Sequence, residues 1–463
     1  KRYCTTTDEA ARAKSLRIIA AFVVCASVVS YFVVPLTAWC AVPKGIGPLQ
    51  PRLISFVTVG VAAGMMGAVL PLVAFFGIDA DDRAGLNLGY VYLANIIGSA
   101  LGSLLTGFVL MEIASTRGIS VGLALGGFAM AFGLLVMSGL RGGELAKWGG
   151  AIAGAAVVVI ASSTFAFDGL YERLLRQQSY DPNERFAEVV ENRHGVIAIG
   201  KDLEVYGGGV YDGAINTSLV DDKNKIERAY AVAVLHPHPK QMLVIGMSTG
   251  AWAQVLVELP GVEHMTIVEI DPGYLDIIPK YPVVASLLTN PKVDIVIDDG
   301  RRWLLRHPER KFDAIVMNTS FHWRSHMTNL LSREFLLLVR EHLLPGGLHY
   351  YNTTNSDLVQ HTACVEYPYA MRFENFMAVS DSPMPFDRDA WCSELETATI
   401  GGKPALDLSN PEEKKLLEHY VGILDAPKSE WASVESRESI LARTQGMPEV
   451  TDDNMAAEWH PQQ

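Results

Sequence analysis

A strand, a glycine loop and a helix are predicted by residues 242–258, which read MLVIGMSTGAWAQVLVE. An unbroken apolar run is typical of a buried parallel strand, and glycines at positions 246 and 250 allow a tight turn before the helix. A helix that begins directly after such a loop points free amide groups at a ligand. The stretch therefore predicts the first unit of an α/β sheet, with a ligand site at its loop.

Strand and helix patterns alternate along the next hundred residues. Further strands are predicted at residues 265–270, 293–297, 312–317 and 348–351, with helical segments between them. This alternation favours a doubly wound parallel sheet of the Rossmann-like methyltransferase type, to which residues 372–379 would add an edge strand. Upstream, β-forming residues interrupted by Gly207-Gly208-Gly209 and Asp212-Gly213 predict a small β-hairpin unit.

Five uncharged stretches fill the first third of the chain, at residues 18–38, 53–78, 84–111, 118–140 and 148–167. Each is long enough to cross a bilayer, which takes roughly 20 apolar residues, and only a helix satisfies such a backbone inside lipid. They predict a multi-span α-helical membrane domain in contact with membrane lipids. We expect an integral protein of a bacterial inner membrane whose catalytic domain is cytoplasmic.

The chain carries a formal net charge of −13, most of it after residue 170. An acidic surface repels phosphate backbones, so nucleic acid is not an expected partner. The cysteines and histidines show no spacing typical of metal ligands, and no metal is predicted. The predicted domains are a transmembrane domain (1–170), a linker with the β-hairpin unit (171–240), a Rossmann-like domain (241–400) and an acidic C-terminal tail (401–463).

Small and acidic residues follow the first three predicted strands. They are Gly246, Ser248, Thr249 and Gly250 in the loop, Glu269 at the end of the second strand, and Asp299 and Gly300 after the third. A carboxylate at the end of the second strand is placed to accept hydrogen bonds from both ribose hydroxyls. A carboxylate after the third strand can meet an adenine amino group. Together these positions predict an adenosine-binding pocket.

The same loop also fits the G-x-S-x-G pattern of serine hydrolases, in which Ser248 would be the nucleophile. In those enzymes the loop normally follows several strands of its own sheet, whereas here a membrane region and a hairpin unit precede it. The other interpretation of Ser248 is a small residue in a tight turn.

Further motifs occur between residues 211 and 347. They are Tyr211-Asp212-Gly213, Asn216, Tyr230 followed by His236, Val268-Glu269-Ile270-Asp271, Asp299-Gly300, Leu331-Ser332-Arg333-Glu334-Phe335 and Leu344-Pro345-Gly346-Gly347. Together with the glycine loop they resemble the spermidine synthase family, and most closely its branch fused to membrane helices. The resemblance implies a β-hairpin unit before a Rossmann-like sheet, decarboxylated S-adenosylmethionine as co-substrate and methylthioadenosine as product. It also implies that Glu269 holds the ribose and Asp299 the adenine, with Tyr211, Asn216 and Tyr230 in the substrate site.

The acids with which this family handles the acceptor amine are replaced here. Its glycine loop carries an aspartate where this chain has Thr249, and its Tyr-His-Glu becomes Tyr230-Ala231-Val232. Two aspartates after the fourth strand give way to a run that begins at Asn318. Neutral groups neither grip a polyamine cation nor remove its proton well. Putrescine is therefore not the expected acceptor, and the donor is either S-adenosylmethionine or its decarboxylated form.

The run that replaces these aspartates reads NTSFHWRSHMTN at residues 318–329 and follows the carboxyl end of a strand, where ligands bind in such sheets. Its histidines are candidates for a general base, its arginine for binding a carboxylate or phosphate, and its tryptophan for stacking on a sulfonium. The predicted catalytic residues are Asn318, His322, Arg324 and His326. Trp323, Asn329 and Asn352 are predicted to bind substrate, and Asp381 is the remaining carboxylate candidate.

These features favour an integral membrane alkyltransferase with a sulfonium donor and a small-molecule or lipid-soluble acceptor. Methyl transfer, and acceptor-free cleavage of S-adenosylmethionine to methylthioadenosine, are alternatives. A further alternative is a transporter or sensor whose soluble domain binds an adenosyl ligand as a regulator. Self-association into a homo-oligomer is left open.

Overall fold

The computed structural model describes residues 9–43, 49–78, 82–319, 328–427 and 433–454. The chain divides into two compact units, Lys1–Lys201 and Asp202–Gln463. Four predicted site residues, His322, Trp323, Arg324 and His326, lie outside the described residues, so their roles stay predictions. The predicted domain boundaries at residues 170, 240 and 400 also stay predictions.

The first unit consists of helices followed by a β-hairpin. The helices are α1 (Glu9–Ala41), α2 (Leu49–Gly77), α3 (Ala84–Leu105), α4 (Met111–Ile113), α5 (Thr116–Met137), α6 (Gly142–Ala166) and α7 (Leu170–Arg176), with a π-helical turn at Thr106–Leu110 and a 3₁₀ turn at Gln177–Ser179. The hairpin pairs β1 (Glu188–Asn192) antiparallel with β2 (Gly195–Ile199).

Five stretches of these helices are long and apolar enough to cross a membrane. They are Arg12–Ala41, Leu53–Phe75, Ala84–Ile113, Thr116–Met137 and Gly142–Ala166. Each coincides with one of the five stretches predicted from the sequence.

The helices of the first unit pack unevenly. α1 and α5 approach so closely at Gly127 that an added Cβ would collide with the Ser27 hydroxyl. By contrast, α3 has no buried residue, and a Cβ added at Gly98 or Gly102 would meet no described atom within 4 Å. The apolar side chains of α3, such as Leu101 with 61% exposure, form a surface that is unusual for a protein in water.

The second unit opens with a hairpin of β3 (Glu204–Gly207) and β4 (Val210–Ala214), and is built on an eight-stranded sheet. The remaining strands are β5 (Gln241–Ile245), β6 (His264–Glu269), β7 (Val293–Ile297), β8 (Phe312–Met317), β9 (Leu343–Asn352), β10 (Tyr369–Phe373), β11 (Phe376–Ser380), the short pair β12 (Thr399–Ile400) and β13 (Lys403–Pro404), and β14 (Val434–Ser436). The order across the large sheet is β14-β10-β11-β9-β8-β5-β6-β7.

Helices connect and cover these strands. They are α8 (Glu227–Leu235), α9 (Ala251–Glu258), α10 (Tyr274–Ile277), α11 (Pro282–Ala285), α12 (Gly300–Arg306), α13 (Thr328–Leu331), α14 (Arg333–Glu341), α15 (Asp357–Glu366), α16 (Arg388–Thr397), α17 (Pro411–Gly422) and α18 (Arg437–Arg443), with 3₁₀ turns at Ile278–Lys280, Ser286–Thr289 and Ile423–Asp425. The core between sheet and helices includes Ile315 and Met317 of β8 against Phe335 and Val339 of α14, all fully buried.

The prediction of a parallel sheet is confirmed for its five strands but not for the whole sheet, and the prediction of an edge strand at residues 372–379 is wrong. The sheet is mixed: β7, β6, β5, β8 and β9 are parallel, but β11 runs antiparallel to β9 and β10, and β14 runs antiparallel to β10. Residues 372–379 are not one edge strand, because the chain turns at Glu374, whose φ is +52°, and forms the β10–β11 hairpin. The edge strand is β14, which comes from the segment predicted to be a tail.

Candidate functional site

The five parallel strands all end at one edge of the sheet, which we call the carboxyl edge. Strand order reverses between β5 and β8, because the chain runs outward from β5 through β6 to β7 and then returns to the other side of β5. In open α/β sheets, ligands bind at such a reversal. The carboxyl edge is therefore the candidate site. We call the ends of β5, β6 and β7 its donor side, after the adenosyl donor that the sequence predicts there, and the ends of β8 and β9 its amide side, after their asparagine side chains.

The glycine loop on the donor side combines open space with tight packing. Gly246 has φ of +83°, and a Cβ added there would meet no described atom within 4 Å. Gly250 has φ of +84°, and its Cβ would lie 2.8 Å from the Leu287 side chain. Both backbone conformations suit glycine. The first glycine leaves room for a ligand, whereas the second lets α9 begin against its neighbours.

Glu269 connects this loop to the end of β6. One carboxylate oxygen accepts hydrogen bonds from the backbone amides of Met247 (2.6 Å) and Ser248 (3.1 Å), and the other accepts from the Asp271 amide (2.9 Å). Burial raises the pKa of the Glu269 carboxyl, and the three amides oppose that rise. A carboxylate offers about four acceptor positions. One acceptor position therefore remains, which is enough for one ribose hydroxyl but not for the two that the sequence predicts.

Asp299 lies between β7 and α12 and caps the helix. Its Oδ1 accepts from the Arg302 amide at 2.7 Å, and its Oδ2 accepts from none of the described residues. The next residue, Gly300, is buried so tightly that a Cβ would collide with Ile245 at the end of β5. Asp298, not Asp299, forms the ion pair with the Arg302 side chain. Asp299 thus keeps one carboxylate oxygen for an amino group.

A hydrogen-bonded line of side chains organises the amide side. Arg228 of α8 donates from Nη1 to Oδ1 of Asn375, in the β10–β11 turn. Asn375 donates from Nδ2 to Oδ1 of Asn352 at 2.8 Å, and Asn352 donates from Nδ2 to Oδ1 of Asn318 at 3.1 Å. This line places Asn318, at the end of β8, beside Asn352, at the end of β9. The sequence had predicted both residues for the site.

The arginine that starts this line is anchored on all sides. Arg228 is 7% exposed, donates to the carbonyls of Lys225 (2.8 Å) and Asn224 (2.6 Å), and lies over the Phe376 ring at 5.0 Å. The fully buried Glu374 carboxylate lies 3.8 Å from its Nε and accepts from the Lys225 ammonium at 2.8 Å.

A second buried acid, Glu227, lies near this anchor. Burial, with a hydrogen bond from its side chain to Asp222 as the next cause, raises the pKa of Glu227 to about 9. The group therefore holds a proton at neutral pH and adds no second negative charge beside Glu374.

Four residues predicted to bind substrate lie outside the hydrogen-bonded line of the amide side. Asn216 bonds through its side chain to the backbone of Ser218 and Asp221, so it shapes its own loop. Tyr230 is 1% exposed, and its hydroxyl has no hydrogen-bond partner among the described residues. Tyr211 is half-exposed and packs edge-on against Tyr206, while the backbone carbonyl of Asn329 accepts from Arg301.

Two residues from the alternative interpretations are also accounted for. Ser248 has φ of +50°, and its buried hydroxyl has no partner among the described residues, so none of them activates it as a nucleophile. Asp381, the remaining carboxylate candidate, forms a two-point ion pair with Arg340 at the surface. Within the described ranges, no group of three or more histidine, cysteine or acidic side chains could hold a metal ion.

Arg228, Asn375 and Glu374 were not among the residues predicted from the sequence. The signals were present: a Glu-Arg pair begins an otherwise apolar helix, and a Glu-Asn pair interrupts the apolar run of residues 372–379. Polar pairs inside an apolar strand pattern indicate a turn. Their contact could not be predicted from local patterns, because 147 positions separate Arg228 from Asn375.

Comparison with known proteins agrees with the resemblance stated from the motifs. Residues 229–374 match the sequence model of the spermine/spermidine synthase domain. A polyamine aminopropyltransferase of Mycobacterium tuberculosis is 28% identical over 315 residues, which cover 64% of this chain and 58% of the relative. One from Desulforudis audaxviator is 31% identical over 156 residues, covering 32% of this chain and 56% of the relative. The chain thus covers less than two thirds of each of these relatives.

Solved spermidine synthases also show similarity. The structure from Thermotoga maritima is 17% identical, with a TM-score of 0.37, over 48% of this chain and 80% of that chain. A probable spermidine synthase from Corynebacterium glutamicum is 14% identical, with a TM-score of 0.41, over 58% of this chain and 97% of that chain.

Proposed function

We propose that this chain, whose residues 229–374 form a spermine/spermidine synthase domain, is a membrane-anchored transferase with an adenosyl sulfonium donor. Relatives named polyamine aminopropyltransferase support a donor of this class. The observation that carries the proposal is the Glu269 carboxylate, which joins the glycine loop to the end of β6 and keeps one acceptor position at the carboxyl edge.

The adenosyl part of the donor would lie along the donor side. Glu269 would accept from a ribose hydroxyl, the free oxygen of Asp299 would accept from the adenine amino group, and the open space at Gly246 would admit the ligand. The acceptor nucleophile would bond to a carbon on sulfur while the carbon–sulfur bond breaks and its electron pair stays on sulfur. A sulfonium is already activated, so the protein's main task is to position the two reactants.

The acceptor in this proposal is not putrescine. A protonated amine needs hydrogen-bond acceptors and negative charge, whereas the end of β8 carries the neutral Asn318, bonded to Asn352. The acceptor would be another small molecule, or a lipid-soluble one delivered by the membrane. S-Adenosylmethionine and its decarboxylated form both remain donors in this proposal, with methyl transfer and acceptor-free cleavage as variants.

The membrane anchor is part of the same proposal. α3 exposes a continuous apolar surface without a buried residue, and lipid would cover it, although a second copy of the chain could share that role. We place the protein in a bacterial inner membrane with its catalytic domain in the cytoplasm.

A regulatory adenosyl-binding domain attached to a transporter or sensor is the second candidate. It is favoured by the absence of the family's acids at Thr249 and Asn318. Binding of a donor without any turnover in native membranes would support it over the transferase.

The test uses the full chain in lipid nanodiscs. Calorimetry with methylthioadenosine measures adenosyl binding, and mass spectrometry after incubation with each donor and membrane extract detects methylthioadenosine or S-adenosylhomocysteine. Asp299→Asn keeps a good helix cap but removes the charge, and should weaken adenosyl binding by about 10-fold. The exposed Asp294→Asn is the matched control and should leave binding unchanged. Equal affinity in wild type and Asp299→Asn would contradict the proposed pocket.

A further inference from the structure

The amide side has a fixed hydrogen-bonding direction, and this direction follows from its first member. A guanidinium has only donors, so Asn375 must accept from Arg228 through Oδ1 and can donate onward only through Nδ2. Asn352 then accepts through Oδ1 and donates through Nδ2 to Asn318. A second donor fixes Asn352 independently, because the Thr354 backbone amide donates to the same Oδ1 at 2.7 Å.

The same line of hydrogen bonds also orients Asn318. One of the two acceptor positions of its Oδ1 is filled by Asn352, and in the described part of the chain its Nδ2 donates to no protein atom. The residue is partly exposed at the end of β8, beside the strand-order reversal. A ligand that approaches this point meets the two N–H donors of Nδ2, and an Oδ1 with one acceptor position left.

We propose that Asn318 selects an electronegative group, a carboxylate or phosphate, at the end of β8. Arg228, Asn375 and Asn352 are positioning residues that hold this donor outward. The inference rests on the proposed function for the presence of an adenosyl donor, and it names the chemistry of what lies next to that donor. An ammonium would meet two N–H donors there, and a single neutral acceptor position would not balance its charge.

Two substrates can supply such a group. Intact S-adenosylmethionine carries its own carboxylate, which the decarboxylated donor lacks, and alternatively the acceptor carries a carboxylate or phosphate. The position of Asn375 does not depend on which substrate supplies the group. Its carbonyl accepts from both the amide (2.8 Å) and the hydroxyl (2.9 Å) of Thr353. The amide line is thus tied to the backbone that follows β9.

The decisive variant is Asn318→Asp, which keeps shape and the bond from Asn352 but replaces the outward donor with an acceptor. We would measure the affinity of the full chain in nanodiscs for S-adenosylmethionine, its decarboxylated form and methylthioadenosine. Methylthioadenosine reports an intact pocket, because it lacks the carboxylate. Asn290→Asp is the matched control, since Asn290 accepts from the Lys292 amide away from the carboxyl edge.

If the donor supplies the carboxylate, wild type prefers S-adenosylmethionine, and Asn318→Asp weakens its binding about 10-fold or more with methylthioadenosine unchanged. If the acceptor supplies the group, donor affinities stay constant, and formation of methylthioadenosine or S-adenosylhomocysteine with membrane extract falls about 10-fold. Asn375→Asp, which cannot donate to Asn352, should reproduce part of either loss. Unchanged affinities together with unchanged turnover in Asn318→Asp would overturn the role inferred for Asn318 but not the proposed function. Failure of wild type to bind any of the three ligands would instead overturn the proposed function.

Discussion

The two sides of the carboxyl edge are organised by groups of opposite hydrogen-bonding character. On the donor side, the Glu269 carboxylate accepts from three backbone amides and fixes the glycine loop. On the amide side, the Arg228 guanidinium donates to two carbonyls and one side chain, and so sets the direction of three asparagines. An acceptor-only group on one side and a donor-only group on the other leave complementary positions open for a ligand. In the function we propose, the same edge would hold an adenosyl group and an electronegative neighbour.

The largest effect is expected from removing the Glu269 carboxylate, which fixes the glycine loop on the donor side. Glu269→Ala leaves three buried or half-buried amides without their acceptor, so the loop should lose its shape. We expect methylthioadenosine affinity to fall at least about 100-fold and the free energy of unfolding to fall by about 3 kcal/mol. Calorimetry and denaturant unfolding measure the two quantities. Glu263→Ala, at an exposed position paired with Lys240, is the control and should change neither.

Removing the Arg228 guanidinium from the amide side should lower the free energy of unfolding strongly and the affinity for methylthioadenosine only slightly. Arg228→Met keeps the length of the side chain but deprives the buried Glu374 of one of its two cations. We expect a loss of about 3 kcal/mol in the free energy of unfolding, with methylthioadenosine affinity within about 3-fold of wild type. Arg388→Met, which breaks an exposed ion pair with Asp425, should leave unfolding nearly unchanged. Equal losses of adenosyl binding in Arg228→Met and Glu269→Ala would show that the two sides are not separate.

The protonated Glu227, which lies near Arg228 of the amide side, predicts that the stability of the folded chain depends on pH. Burial raises its pKa to about 9, whereas an unfolded glutamate titrates near 4.3. The folded chain therefore keeps a proton that the unfolded chain releases, and the stabilisation present below about pH 4 is lost as the pH rises through about 9. Relative to Glu227→Gln, wild type should lose at least about 1 kcal/mol of stability between pH 6 and pH 9. Parallel pH profiles of the two proteins would contradict this assignment.

The smallest effect is expected from the remaining acid suggested by the sequence. Asp381 pairs with Arg340 at the surface, away from the donor-side carboxylate and the amide-side guanidinium, and both side chains are at least a third exposed. Asp381→Asn should cost less than about 1 kcal/mol in unfolding free energy and leave product formation from either donor within 2-fold. A loss of turnover of 10-fold or more would place an acid of the β11 end in the reaction.

The predictability of these two sides from sequence differs for a physical reason. The donor side follows the chain locally: each strand is directly followed by its small or acidic residue, so the position of Gly246, Glu269 and Asp299 at the carboxyl edge could be predicted from spacing alone. The amide side joins Arg228 to Asn375 across 147 positions through a hairpin that the strand pattern concealed. The position of Asn318 and Asn352 could be predicted because they end strands, but the orientation of their side-chain amides depends on partners that local patterns do not reveal.

In the function we propose, the donor side holds an adenosyl group between Glu269 and Asp299. The most direct measurement is an experimental structure of the full chain in lipid with methylthioadenosine bound. We predict a ribose hydroxyl within hydrogen-bond distance of the Glu269 carboxylate and the adenine amino group against Asp299. An adenosyl group bound elsewhere, with both carboxylates facing solvent, would contradict this binding mode.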